Sequence, residues 1–283
     1  MRLAALILFV FTLPLLGQPA KVEKVYSSSN SIKTLAVSPD GKSIAFSSDA
    51  RDQKGDIVVL ETDTRVRKLL TKNNALDSQP VWAPNGKNIY FFSNRKRQGG
   101  IYRVSVNAGT KPEQLTPEQY WCEFPTISRD GKRLAYYSRR GGSYHLYILN
   151  LATKKEKKYT EGTSFHFGPK FSADNKSLFF YSNRSGQFSI FRLNLGSKKV
   201  TPVKGPGGFT FQPTADFKGK FIFAVSNKKG NNDIYQIPLA GGAAQLVAPS
   251  SAQEISPSFD KKKRMLYFIS QRDGDFGIYR TKF

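Results

Sequence analysis

Side chains able to do chemistry are few in this chain, and they are scattered. His145 and His166 are the two histidines, too few for a histidine-rich metal site. No G-x-S-x-G elbow is present to expose a nucleophilic serine. Asp77, Glu123 and Glu254 are carboxylates that could be paired for glycoside cleavage, but that chemistry depends on a separation which sequence does not give. The single cysteine, Cys122, lies between Trp121 and Glu123 with no histidine nearby in sequence. It reads as a small buried hydrophobe rather than a reactive thiol, and it leaves no intramolecular disulfide to form. No cofactor and no metal are expected. What the chain does offer is charge: 44 Lys and Arg face 21 Asp and Glu, a formal net charge of +23 over 283 residues.

The elements that position these groups begin to show in the composition. At 39% hydrophobic and 23% charged, the chain can bury a sizeable core. With 22 Phe and 13 Tyr against 2 Met, the packing favours strands over helices. Residues 1–20 combine Arg2, an apolar run from Leu3 to Leu16 and the small residues Gly17 and Ala20. This pattern predicts a secretory signal peptide cleaved after Gly17 or Ala20, too short to span a membrane.

Self-comparison reveals six units at a spacing of 44 to 45 residues. Their core lines read SPDGKSIAFSSD from Ser38, APNGKNIYFFSN from Ala83, SRDGKRLAYYSR from Ser128, SADNKSLFFYSN from Ser172, DFKGKFIFAVSN from Asp216 and DKKKRMLYFISQ from Asp260. Each line carries a serine at one offset: Ser48, Ser93, Ser138, Ser182, Ser226 and Ser270. Pro80, Pro125, Pro169, Pro213 and Pro257 precede five of the lines, and Leu35 takes that place in the first. Downstream come two more apolar positions, such as Ile57-Val58 and then Leu70, with Thr71, Thr116 and Thr160 after the last in three units.

Each unit therefore holds four short strands, A to D. Asp40-Gly41, Asn85-Gly86, Asp130-Gly131 and Asp174-Asn175 supply the positive φ of a hairpin, making A antiparallel to B; Lys262-Lys263 makes the sixth turn the least regular. Proline cannot donate to a ladder, so A is an edge strand. The sequence thus predicts an all-β fold over residues 21–283, a six-bladed β-propeller of four-stranded antiparallel blades. The sixth unit lacks a D strand. Val25 lies 45 residues before Leu70, in the D phase, so the N-terminal strand is predicted to complete the last blade and close the ring.

The pattern from Pro125 to Ser138, and Ser182-Asn183-Arg184-Ser185-Gly186 leading to Ile190-Phe191, resembles the repeat of TolB-like β-propellers. The resemblance covers the propeller part only, without the N-terminal α/β domain of TolB. It implies an exported, non-enzymatic scaffold that binds other proteins, as TolB binds the envelope lipoprotein Pal.

Strand alternation puts the D-to-A and B-to-C loops on one face, at the channel mouth. The D-to-A loops bring Tyr120, Trp121, Glu123, Phe165, His166, Phe209 and Glu254; the B-to-C loops bring Arg51, Arg95, Arg97, Arg139, Arg140 and Arg184. The aromatics either pack between blades or line a partly apolar pocket, with Glu123, His166 and Glu254 as polar handles. The expected occupant is a protein partner of the cell envelope, acidic to match the charge, with anionic lipid or cell-wall polymer as peripheral contacts and the chain a periplasmic or secreted monomer. Nucleic acid is not expected, since no recognition motif accompanies the basic residues. The alternative is a propeller hydrolase or carbohydrate-active enzyme with its site at the channel mouth.

Overall fold

The runs SIAFSS, NIYFFS and SLFFYS are apolar on both sides of a strand, a pattern that suits strands covered on both faces. They become the second strands of six blades. A computed structural model describes residues 21–49, 55–107 and 109–283; the expected signal peptide and Arg51 lie outside the described residues. The described strands form six four-stranded antiparallel sheets. Their inner A strands are Ile32–Val37, Asp77–Trp82, Trp121–Ile127, His166–Phe171, Thr210–Ala215 and Glu254–Asp260. The ring is a six-bladed β-propeller, as the repeat predicts.

Its core lies between blades. Val25, Phe46, Tyr267 and Ile278 pack between blades 6 and 1; Phe92, Cys122, Leu134 and Tyr136 pack between blades 2 and 3. Each blade thus supplies half of two cores, and no blade has a core of its own. A buried Phe or Ile withdrawn from water contributes roughly 1.5–3 kcal/mol, so the repeated aromatics fix the blade spacing.

The A-to-B hairpins take their positive φ at Gly41, Gly86, Gly131, Asn175 and Gly219. Inside the first, Ser38 donates to the Asp40 carboxylate at 2.6 Å and accepts the Ser43 amide at 2.9 Å; Ser172, Asp174 and Ser177 repeat this at 2.6 and 2.9 Å. In the sixth blade the positive φ moves one place along the repeat to Arg264, because neither lysine adopts it.

Every A strand is also bulged. The residue before each repeat proline, namely Gln79, Phe124, Gly168, Gln212 or Ser256, has a φ between 49° and 57°. At that point the pairing with strand B shifts register. Proline lacks a donor, and the bulge lets the strand continue past it.

Val22–Ser28 closes the ring by pairing antiparallel with Asp275–Lys282, with Val22 opposite Thr281 and Tyr26 opposite Ile278. A register shift between Lys24 and Tyr26 turns Val25 into the core between blades 6 and 1. The strand also reaches blade 1: Arg65 donates to the Val25 carbonyl, Arg67 donates to the Tyr26 hydroxyl at 2.7 Å, and Tyr26 lies 5.4 Å from Phe46. Val25 is buried, whereas Val22 is half-buried.

Deleting residues 21–26 uncovers the Asp275–Lys282 edge and removes Val25, a loss of at least roughly 1.5–3 kcal/mol. The melting temperature is expected to fall by about 5 °C or more, with faster aggregation on heating. A thermal scan with light scattering checks this, and an unchanged transition would contradict closure by this strand.

Candidate functional site

The loops nearest the channel mouth are tied together by backbone. An amide at the start of strand A bonds to the B-to-C loop of the preceding blade: Asp77 to Gly55 at 3.1 Å, Cys122 to Gly99 at 2.9 Å, Thr210 to Phe188 at 3.0 Å and Glu254 to Asn232 at 2.7 Å. The D-to-A and B-to-C loops therefore share one face, as alternation requires.

On this face the repeat serine holds the base two residues after it. Ser93 accepts from the Arg95 side chain at 2.8 Å, Ser138 from Arg140 at 3.1 Å and Ser270 from Arg272 at 3.4 Å. Each guanidinium then lies over an aromatic of strand C: Arg95 over Tyr102 at 4.8 Å, Arg140 over Tyr147 at 3.9 Å, Arg184 over Phe191 at 5.6 Å and Arg272 over Tyr279 at 5.2 Å. Three also meet a carboxylate. Arg95 grips buried Asp77 through both oxygens at 2.9 and 3.0 Å, Arg140 grips Glu156, and Arg272 meets Glu254 at 2.8 Å. These pairs hold strands together inside a blade, so Arg95 and Arg140 are committed to the fold. Arg97, Arg139 and Arg184 are exposed.

Strand alternation sorts the other candidates. Asp77, Cys122, His166, Thr210 and Glu254 all lie opposite the repeat serines. All five are buried, facing a neighbouring blade rather than solvent. His166 is 2% exposed, packs edge-on against Phe180 at 5.6 Å, and neither ring nitrogen has a hydrogen-bond partner among the described residues. Burial pushes its pKa down to about 4. Glu254 is held by Arg272, Ser270 and Ser250. Burial raises the Cys122 thiol, which suits an inert side chain.

One position earlier, the aromatics come to the surface. Phe165 is 38% exposed and Phe209 49% exposed, while Trp121 is half-buried against Phe92 at 5.3 Å. Trp121, Tyr137, Arg139 and Tyr144 line a groove of about 590 Å³ with Gln98, Gln119 and Gly142. Tyr144 continues the surface to Phe165 at 5.3 Å, and Arg139 lies over its ring at 5.6 Å. Glu123 accepts from the hydroxyl of groove-lining Tyr137, and burial followed by the Glu123 charge holds that phenol well above its ordinary pKa. Tyr120 sits beneath Arg140 at 4.2 Å. Trp121, Glu123, Arg139 and Phe165 are thus gathered in one area, from which buried His166 and Glu254 are withheld. Tyr144 is the member sequence reading missed. Its signal is Gly141-Gly142, where positive φ at both residues makes a bare two-residue turn that leaves the nearby ring half-exposed.

The family described as the TolB beta propeller domain matches residues 17–140 and 110–229. The chain is 37% identical over 101 residues to an uncharacterized protein of Agrobacterium fabrum, covering 36% of this chain and 34% of that one. The match therefore spans about a third of the curated relative's length. Among solved structures, TolB from Acinetobacter baumannii superposes with a TM-score of 0.72 at 22% identity, over 86% of this chain and 64% of that chain. Oligogalacturonate lyase from Vibrio parahaemolyticus superposes with a TM-score of 0.65 at 13% identity, over 93% of both chains. At these identities, the two superpositions establish the shared fold alone.

His166 gives a pH prediction. Its pKa in the folded chain, about 4, lies below the ordinary 6.5, so between these values the unfolded chain binds the extra proton and stability falls as pH falls. Urea melts of wild type and His166→Gln at pH 7 and pH 4 are expected to show the wild type losing up to roughly 3 kcal/mol more than the variant. Equal losses would contradict a neutral, buried His166.

Proposed function

Because the chain belongs to the TolB beta propeller domain family, we propose that it is an exported, non-enzymatic docking module for a protein of the cell envelope. The partner seats on the face formed by the D-to-A and B-to-C loops. The observation that carries this reading is the continuous surface from Trp121 through Arg139 and Tyr144 to Phe165, with a groove at its centre. Protein interfaces draw most of their energy from a few aromatic and Arg anchors in partly enclosed sites, and this surface supplies both. Phe209 extends it on the next blade, and Arg97 and Arg184 add exposed charge at its border. The partner is acidic, because a net charge of +23 steers acidic surfaces inward and repels basic ones. The periplasm or exterior is the compartment this reading requires, with the chain acting as a monomer. Anionic lipid or cell-wall polymer would make only peripheral contacts with the remaining lysines.

Capture from envelope extract at low salt, followed by binding measurements with the purified partner, tests the face. Trp121→Ala with Arg139→Ser is expected to weaken binding by at least about 2 kcal/mol. Lys154→Ser with Lys155→Ser, exposed on the opposite face, is expected to change it by less than about 0.5 kcal/mol. Thermal melts establish that both variants fold. The opposite ranking would move the site to the other face.

Charge steering has its own signature. Raising salt from about 50 to about 500 mM shortens electrostatic reach to a few Å and is expected to slow association while leaving dissociation nearly unchanged. An association rate indifferent to salt would remove the electrostatic part of the proposal.

A further inference from the structure

Four of the six junctions between inner strands are bridged round the channel by side chains that accept the backbone amide of the next blade. Thr34 accepts from Gln79 N–H at 3.0 Å, Gln79 from Phe124 N–H at 2.6 Å and Gln212 from Ser256 N–H at 2.9 Å. Ser256 accepts from Leu35 N–H at 3.0 Å, a donor that exists because leucine replaces the repeat proline there. The circle is broken at two junctions. From blade 3 to 4 and from blade 4 to 5, the residues in the accepting position are Phe124 and Gly168, whose side chains hold no acceptor. Gly168 and Gln212 share the φ of Gln79, Phe124 and Ser256, so their amides take the same direction without receiving a side-chain acceptor. Glycine is enforced at 168, since a Cβ there would stand 2.5 Å from the Tyr181 ring.

Beside this gap stands Lys170. The position after the repeat proline holds Val81, Thr126, Thr214 and Ser258 in the other proline-bearing blades, so Lys170 is the one charged side chain in that set. It lines a small central cavity with Gly168 and Gln212, and also the wider funnel of about 300 Å³ that opens among the A-to-B turns. Among the described residues no carboxylate lies within ion-pair distance of its ammonium. Two more cations, Arg129 and Lys261, line the funnel; Arg129 is fixed across it by the Ala173 and Phe217 carbonyls at 3.0 and 3.1 Å. The one acid there, Asp216, is buried and occupied in its own turn, accepting from Lys220 N–H at 3.2 Å.

We propose that the channel at blades 4 and 5 is a carboxylate-binding site, in which Lys170 supplies the charge and the Gly168 and Gln212 amides supply directed hydrogen bonds. Here the Lys170 ammonium stands beside two amides that, among the described residues, donate to no side chain of the preceding blade, a set of donors that favours an anion. The funnel's volume suits a small organic acid or the acidic tip of a peptide. The site opens on the face opposite the protein-docking surface and does not rest on that reading. Desolvation lowers Lys170 to about 8. The ammonium is therefore present at neutral pH and lost as pH rises past that value, while the Arg129 guanidinium beside the mouth keeps its charge and Lys261 is also lowered by burial and by Arg129.

The full chain is titrated with succinate and, separately, with a blocked peptide containing two aspartates, by calorimetry and by amide NMR. One saturable site is expected, moving the Gly168 and Gln212 amide signals, weakening at least ten-fold in Lys170→Met and weakening again between pH 7 and pH 9. Binding of succinate identifies a free acid as the ligand class, and binding of the peptide alone identifies an acidic segment. No saturable binding of either, shifts confined to other residues, or undiminished binding by Lys170→Met would overturn the proposal. If Lys170→Met does not fold, the location of the wild-type shifts and their pH dependence decide.

Discussion

Each blade of this protein is apolar on both faces, and that constraint governs the rest. A blade standing alone would leave two faces in water, so its strands become stable only when neighbours cover both. Phe46, Phe91, Phe180 and Phe268 are fully buried for this reason: each sits on a B strand sandwiched by the next blade. The ring must close, because an open end would leave one face bare. Closure falls to Val22–Ser28, which serves as fourth strand to blade 6 and as packing partner to blade 1. The loop arginines follow from the same constraint. A B-to-C turn at the end of so apolar a sheet needs a polar lid, and Arg95, Arg140 and Arg272 supply it by covering ring faces while meeting Asp77, Glu156 and Glu254.

The architecture was legible because it is written six times. Asp40-Gly41 and its equivalents announce a hairpin through local backbone chemistry, and Val25 announces closure through its phase, so both are visible without knowing any distance. What could not be read is what depends on direction at a single residue. The proline of five A strands was visible, but the left-handed residue before it was not, since Gln79, Phe124, Gln212 and Ser256 carry no shared side-chain signal. That bulge decides which residues reach the channel. Likewise, His166 and Glu254 belong by sequence to the loops at the channel mouth, yet they lie opposite buried serines and turn inward, while Trp121 and Phe165, a single step earlier, turn outward.

The two faces of the ring therefore differ in kind. One is built from loops in which Arg95, Arg140 and Arg272 are spent on the fold while Arg97, Arg139 and Arg184 stay exposed, and its character is set by the half-buried Trp121 and Tyr144 beside exposed Phe165. The other is built from hairpins with fixed, repeated geometry. Its distinction arises where the repeat is broken, at Gly168 and Lys170. In a repeat protein, departures from the repeat carry more functional information than the repeat itself, since the repeat is already explained by packing.

Ring closure also orders events in time. Glu23 meets Arg280 across a sequence separation of 257 residues, so that contact demands the closing of almost the largest loop the chain can form. Hairpins within a blade need only neighbours and form early, whereas Val22–Ser28 has no sheet partner until the last blade exists. A chain made or exported from its N-terminus must carry that strand unpaired throughout. The adjacent Glu23 and Lys24, flanked by Val22 and Val25, keep the waiting segment charged, which discourages pairing with another copy before its own partner arrives.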